Sequence, residues 1–502
     1  MLVDFNHQTK DRWHAEICVV GGGPVGIALA LGLARQGVST LLLESGGLDA
    51  EPDSQALYGG QTIGQAQSDP MFCRLRYLGG TSGHWQGWTA RLDEDDLSAR
   101  PHVPHSGWPI DLAELAPYYS QAEEFCELSE DVQPPGSAWS GLDARLWRFS
   151  PPTRFGSVYR RELETSDRLT GLLHANVVEI VTTEGHRVQE LRVRSLAGRE
   201  ARVSARHFVL ATGGMENARL LLQPTEGHPN GVANGSGWVG RGFMQHIELP
   251  VAKIATQQPA DLLLPFRRQP TQQGHMVLPA ADRRSLGLLN TGFAPVSARE
   301  LSEGYVALRN IWKGVTSDGW RDDLDQEVGT LLDDIGGAVS DLYSRAMGEA
   351  GPIYLTAWAE QAPNADSRIK LAHEQDALGL RRLVVDWRLS ELDFRSLRES
   401  TLAVGARFAA AGLGRLQLVG WLADEEVRWP ERIWSGCHHM GTTRMSDDPS
   451  AGVVDRDCRA HDVSNLFVAG SSVFPTGGYV MPTLTAIALA GRLADHLKGL
   501  VR

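Results

Sequence analysis

Ile17-Cys18-Val19-Val20-Gly21-Gly22-Gly23-Pro24-Val25-Gly26 decides how this chain begins to fold. Four apolar residues read as a buried strand, and the helical stretch IALALGLARQG follows the glycines at once. A second apolar run, Thr40-Leu41-Leu42-Leu43, ends at Glu44 and completes a β-α-β unit of about 30 residues. Gly21, Gly23 and Gly26 form G-x-G-x-x-G, a spacing that permits a tight turn, close approach of backbone to a pyrophosphate, and close helix-strand packing. Pro24 and Val25 open the helix, whose N-terminus offers N–H groups and a positive dipole end to phosphates. Glu44 lies 18 residues beyond Gly26 and is followed by Ser45, so a carboxylate stands where ribose hydroxyls would be held and a 2′-phosphate disfavoured.

This fingerprint does not distinguish FAD from NAD. ARHFVLATGGMENARLLL (205–222) shifts the reading to FAD. There a strand runs into the small-residue turn Ala211-Thr212-Gly213-Gly214, followed by Asn217, and resembles the second dinucleotide-contact segment of flavoproteins with two dinucleotide-binding folds.

Around these units the bulk properties set limits. A chain of 502 residues exceeds what one core usually organises, so two domains, or one large cofactor domain carrying an insertion, are expected. Its 42% hydrophobic and 22% charged residues argue for a globular enzyme, and no apolar run reaches the roughly 18 residues of a membrane span. A net charge of −13, spread along the chain, disfavours nucleic acid as a partner. Cys18, Cys73, Cys126, Cys437 and Cys458 are scattered with no C-x-x-C pair, which suggests neither disulfides nor zinc and fits a reducing cytoplasm. The polar start MLVDFNHQTKDRWHAE shows no secretory pattern.

Further along, residues 60–110 read as a long ordered loop rich in Gly, Trp and Pro. Residues 160–212 read as a helix followed by the strands VVEIVTTE, VQELRVRS and ARHFVLATGG. The section 251–430 is the least legible, with strand-like runs such as RLVVDWRLS, and the acidic stretch DDLDQE within it reads as solvated surface. From Val463 a buried strand, a Pro/Gly loop and a final apolar helix return.

Three further segments carry a family resemblance. RYLGGTSGHWQG (76–87) resembles the flavin-contact loop of the glucose-methanol-choline oxidoreductases, and GCHHMGTTRM (436–445) with GVVDRDCRAHDVSNLFVAGSSVFP and PTLTAIALAGRLADHL resembles their closing motif. Within the family the likeness is to pyranose-oxidase-like and bacterial sugar or alcohol dehydrogenase members. The resemblance implies an α/β chain, α+β overall, in which a Rossmann-like FAD-binding domain (1–95, 200–250 and 431–502) interleaves with a sheet-based substrate domain (96–199 and 251–430). It implies FAD as cofactor and oxidation of a CH–OH group of a small alcohol or sugar-like substrate, with oxygen or another carrier as electron acceptor. Two alternatives stay open: a lyase-like homologue with a redox-silent flavin, and the large subunit of an electron-transferring sugar dehydrogenase.

The resemblance also assigns residues. His438, in the family's H-x-x-G-T pattern, stands where the base takes the hydroxyl proton, with His439 as the neighbouring alternative. The usual second His or Asn falls at Met481, whose thioether cannot donate a hydrogen bond, so either another group such as Tyr479 or His439 supports the substrate oxygen or the reaction is altered. Flavin contacts fall at Gly79, Gly80, Thr81, Ser82, His84 and Trp85, with His84 in the place where some relatives bind flavin covalently and non-covalent binding favoured here. Val178, Gly470, Ser471, Pro482 and Thr483 complete the cofactor set, and His246 takes a structural position.

Overall fold

The computed structural model describes residues 1–130, 141–183, 186–297, 351–424, 426–431 and 433–501. DDLDQE (322–327) lies outside the described residues. Among them no helix is long and apolar enough to cross a membrane.

The strand Arg12–Val20 extends the expected run toward the N-terminus, and Ile17 to Val20 are all buried. Parallel strands covered on both faces need continuous apolar sequence, and this run supplies it. The helix Pro24–Arg35 starts with proline in its first turn, where no backbone N–H is missed. Strand Thr40–Leu43 then pairs parallel with Arg12–Val20.

The sheet grows outward in the order Leu2–Asp4, Leu169–Leu173, Thr40–Leu43, Arg12–Val20, Glu200–Leu210. Glu200–Leu210 is 11 residues long and gives one edge to Arg12–Val20. Its other edge is shared: Glu200 to Val203 pair antiparallel with Arg187–Arg194, while Phe208 to Leu210 pair parallel with Leu466–Val468. Asn176–Thr183 closes the order beside Arg187–Arg194. The terminal helix Thr483–Val501 packs on Pro24–Arg35, where a Cβ added at Gly32 would stand 3.5 Å from that of Ala494.

The strands between residues 169 and 199 therefore belong to the nucleotide sheet, not to the substrate half to which 96–199 was assigned. The reason is hydrogen bonding: they form a meander whose last member, Glu200–Leu210, is itself central to that sheet. Conversely, Trp88–Thr89, within the expected FAD segment 1–95, and Ile247–Ala255, which begins in the segment 200–250 and runs across its end, pair into the second sheet. That sheet is antiparallel, in the order Arg415–Leu418, Ile247–Ala255, Ile353–Ala359, Thr291–Ser297, Gln272–Val277, Asp143–Phe149, Trp88–Thr89. Trp88, Trp147 and Trp358 pack together on it, with ring centroids 5.0 Å apart for the first two and 4.6 Å for the last two.

The stretch 60–110 is not one loop. Gly60–Gly64 is a strand, parallel to Arg381–Trp387 in a three-stranded sheet with Arg368–Gln375. The illegible section also contains the 20-residue helix Glu391–Ala410, begun by a reciprocal cap in which Ser390 Oγ accepts from Asp393 N and Asp393 Oδ2 accepts from Ser390 N.

One buried ion pair ties the 90–110 segment to the second sheet. Arg100 donates through Nη1 and Nη2 to both carboxylate oxygens of Glu360, at 2.8 and 2.5 Å, and Glu360 also accepts from Asn290 N. Burial works against the Glu360 charge, but the guanidinium holds its carboxyl below the usual range. Removing one partner of such a pair leaves an uncompensated buried charge. Arg100→Met is therefore expected to lower the unfolding free energy by about 3–5 kcal/mol in urea titrations. Adding Glu360→Gln to that variant should recover part of the loss.

Candidate active site

The parallel strands end level. Val20 lies opposite Leu43 on one side and Leu210 on the other, and Leu210 lies opposite Val468. The turns leaving these ends therefore converge on one crevice, where open α/β sheets place their ligands. A cavity of about 670 Å³ occupies it, within the roughly 300–1,000 Å³ usual for ligand sites.

From the first turn Gly21, Gly23, Pro24 and Val25 line this cavity, and from the second Glu44 and Ser45. Gly21 holds φ +108, and a Cβ at Gly26 would stand 1.8 Å from Gly21 O, so Gly26 acts in packing behind the turn and does not line the cavity. Ala211, Thr212 and Gly213 line the cavity from the neighbouring turn, beside Gly21. Asn217 does not reach the cavity. It is fully buried, accepts from Thr212 N and Thr212 Oγ1, and donates to Ala469 O and Ser472 Oγ, which locks two cavity turns together. Val178 is also absent from the wall, and Val177 is there instead. Successive strand residues face opposite sides, so a placement off by one residue reverses direction.

The remaining contact loop contributes Gly80, Thr81, Ser82, His84 and Trp85 to the wall, while Gly79 stays behind it at φ +97. Trp85 Nε1 donates to Thr153 O at 2.9 Å. Gly470, Ser471, Met481, Pro482 and Thr483 line the end nearest the C-terminal helix.

These residues fit a dinucleotide. No side chain caps the helix Pro24–Arg35, so its first N–H groups face the cavity without a protein anion. Cβ atoms added at Gly23, Gly213 or Gly470 would meet nothing within 4 Å, so backbone there borders open space. Glu44 accepts from Gly22 N, Gly46 N and Ser45 Oγ, which fixes its carboxylate and still leaves acceptor capacity toward the cavity.

His438 and His439 both line the cavity. His438 follows a tight turn in which Gly436 has φ +59 and Cys437, a non-glycine residue, has φ +56. A Cβ at Gly436 would come within 2.8 Å of the His438 ring, so only glycine leaves the imidazole its place. His438 Nδ1 is 2.8 Å from His246 Nδ1, and among the described residues its Nε2 has no hydrogen-bond partner. Burial and the neighbouring His246 and His439 rings push the His438 pKa well below its ordinary value, and burial pushes His246 down to about 4. Both rings are neutral at neutral pH.

His439 differs. Its Nε2 is 3.6 Å from Cys73 Sγ, and its ring stacks on Phe243. Met481 is buried in the wall. Tyr479, expected as a possible support for the substrate oxygen, is not in the wall: His275 Nε2 holds its hydroxyl at 2.7 Å. One residue, Glu248, is not read from the sequence, and His246, expected in a structural position, stands closer to the site than that. His246 is the direct neighbour of His438, and Glu248 lines the cavity. The signal was available, since His246-Ile247-Glu248 leads into a strand and alternate residues share a face.

Comparison with known proteins agrees with this architecture. Residues 16–216 match the FAD dependent oxidoreductase family model, and residues 363–490 match the GMC oxidoreductase model. The chain is 24% identical to a 2-methyl-1,2-propanediol dehydrogenase of Mycolicibacterium austroafricanum, across 97% of this chain and 96% of that one. It is 25% identical to a paromamine 6'-oxidase of Streptomyces fradiae, across 96% and 91%. Among solved structures, a pyridoxine 4-oxidase from Mesorbium loti superposes with a TM-score of 0.58 at 18% identity, covering 96% of this chain and 99% of that one. With the glycine turns, the paired histidines and the two interleaved sheets all in one frame, the chain is an FAD-dependent oxidoreductase whose residues 363–490 match the GMC oxidoreductase model.

Proposed function

We propose that this protein oxidises the CH–OH group of a small alcohol or sugar-like substrate, with His438 accepting the hydroxyl proton. The observation that carries the reading is the state of His438: a neutral imidazole in the cavity wall with one nitrogen engaged and the other unpartnered among the described residues. When bound, FAD supplies the two-electron acceptor for the hydride of the carbinol carbon. The turn at Gly21 and Gly23, with the N-terminus of Pro24–Arg35, would hold its pyrophosphate, and Glu44 its ribose hydroxyls.

The two histidines decide which nitrogen acts. Between His438 Nδ1 and His246 Nδ1 one ring donates and the other accepts. If His438 donates, its Nε2 keeps the lone pair and faces the substrate hydroxyl as a base. If His246 donates, His438 Nε2 carries hydrogen and can return a proton. His246 is a positioning residue in this scheme, beyond the structural place expected of it. Met481 packs against the substrate and supplies no donor. His439 does not replace His438, because Cys73 already occupies its Nε2.

Scattered cysteines without a C-x-x-C pair support a reducing, cytoplasmic setting. The electron acceptor is oxygen or another carrier.

Gly23→Val tests the cofactor cradle. Its side chain would enter open space, not protein, so the variant should fold yet purify without yellow colour. Retention of stoichiometric FAD would place the pyrophosphate elsewhere.

In anaerobic stopped-flow, His438→Ala should keep FAD and slow flavin reduction by at least about 10²-fold, the scale of a lost general base. His439→Ala should keep most of the rate. The pH profile carries a sign as well. Because the His438 pKa is lowered, the base form persists below the ordinary histidine range. Reduction should therefore be level from neutral pH through about 6.5 and fall only at more acid pH. A fall centred near 6.5 or above would contradict the buried, neutral base.

A further inference from the structure

Three acidic side chains line the cavity: Glu44, Glu216 and Glu248. Two have their charge answered by the protein. Glu44 accepts two backbone N–H groups and the Ser45 hydroxyl. Glu216 forms ion pairs with Arg74, Arg76 and Arg219. Glu248 is different: no cationic side chain among the described residues offsets it.

Its surroundings are aromatic. Trp358 lies directly opposite Glu248 in the antiparallel ladder, and Trp434 is held beside it by a 2.8 Å bond from Glu248 N to Trp434 O. Both tryptophans line the cavity, as do His438 and Cys437. Trp434 is 63% exposed, so its ring stands toward the open side of the cavity and is available to a ligand. A cation arriving at Glu248 is attracted by its full charge, with the Trp358 indole standing against the carboxylate and the exposed Trp434 ring offering a cation–π contact. Neutral hydroxyls would gain less there, because they leave the half-buried charge without a counterion.

We propose that Glu248, with Trp358 and Trp434, forms a subsite for an ammonium group on the substrate, so that the alcohol oxidised at His438 is an amino alcohol or amino sugar. This rests on the reading of His438 as the base and of the cavity as the alcohol site. Burial pushes the Glu248 carboxyl up to about 7, with the Trp358 indole pulling the other way, as expected of an acid that lacks its counterion until one arrives. The chain's net charge of −13 also draws cations toward the cavity. His246 and Glu248 leave the same face of one chain segment, so the orienter of the base and the cation subsite are set in one register.

The test uses FAD-loaded protein in two measurements. Propylammonium, which has no hydroxyl to oxidise, is titrated and read by perturbation of the flavin absorption. Its Kd should be at least about tenfold weaker for Glu248→Gln than for wild type, the scale expected when a desolvated charge partner is lost. Equal Kd values, or no binding to wild type, would overturn the subsite. Kinetics then compare glucosamine with glucose. Wild type should favour glucosamine in kcat/KM, chiefly through KM, and the glucosamine-to-glucose ratio should drop at least about tenfold in Glu248→Gln. A preference of wild type for glucose, or an unchanged ratio, overturns the subsite and leaves His438 as base. Should Glu248→Gln fail to retain FAD, wild-type binding of propylammonium against propan-1-ol decides, with equal affinity overturning the proposal. Failure of a broad panel of alcohols to bleach the flavin would instead strike the reading of the active site itself, while the propylammonium result would still stand on its own.

Discussion

The site depends on one constraint, the level ending of parallel strands around Glu200–Leu210. Each backbone amide of a buried strand must find a partner, and this strand satisfies its outer edge with two different elements. The antiparallel meander takes its first half, which leaves the second half free to accept Leu466–Val468 from the far end of the chain. That pairing brings Gly470 and Ser471 to the level of Gly21 and Ala211. Thr442 Oγ1, which donates to Gly214 O, ties the C-terminal histidine segment to the nucleotide turns directly. Asn217 adds a second tie, since its side chain bonds both Thr212 and Ser472.

The second sheet supplies the other side of the cavity through aromatic mass. Trp88 and Trp358 reach the wall, while Trp147 fills the space between them and stacks on His275 at 4.0 Å. His275 in turn holds Tyr479 away from the cavity. So the loop before the final helix points an apolar Met481 at the site, and among the described residues the only imidazoles in the wall besides His84 are those of His438 and His439. Polarity at the catalytic end is kept low, and burial keeps both His438 and His246 uncharged.

Much of the nucleotide half was legible because its signals are local. Glycine spacing, a following helix, and an acid at the end of the next strand are set by the chain's own sterics over some 30 residues, and the observed Thr40–Leu43 matches the expected strand residue for residue. The substrate half was not legible, because its strands pair across large sequence separations. Ile247–Ala255 pairs with Ile353–Ala359, and Trp88–Thr89 with Asp143–Phe149, so no local period announces the partner. Even the helix Glu391–Ala410 went unread, although Ser390 and Asp393 carry the spacing of a capping box. Within 96–199, Asp143–Phe149 joins the second sheet as expected while the strands at 169–199 do not, because the pattern shows strands but not which sheet they join.

By itself the sequence determined the dinucleotide turn, whose glycines stand at short fixed spacing, while the choice of FAD and the placing of His438 and His439 were read from the resemblance of whole segments to a known family. Only the tertiary structure decided that Val177 and not Val178 faces the cavity, that Tyr479 is occupied by His275, and that His246 stands against His438. Those are matters of direction and long-range contact. A side chain's direction reverses with one residue along a strand, and a contact spanning 192 residues is fixed by the packing of sheets, which no local stretch encodes.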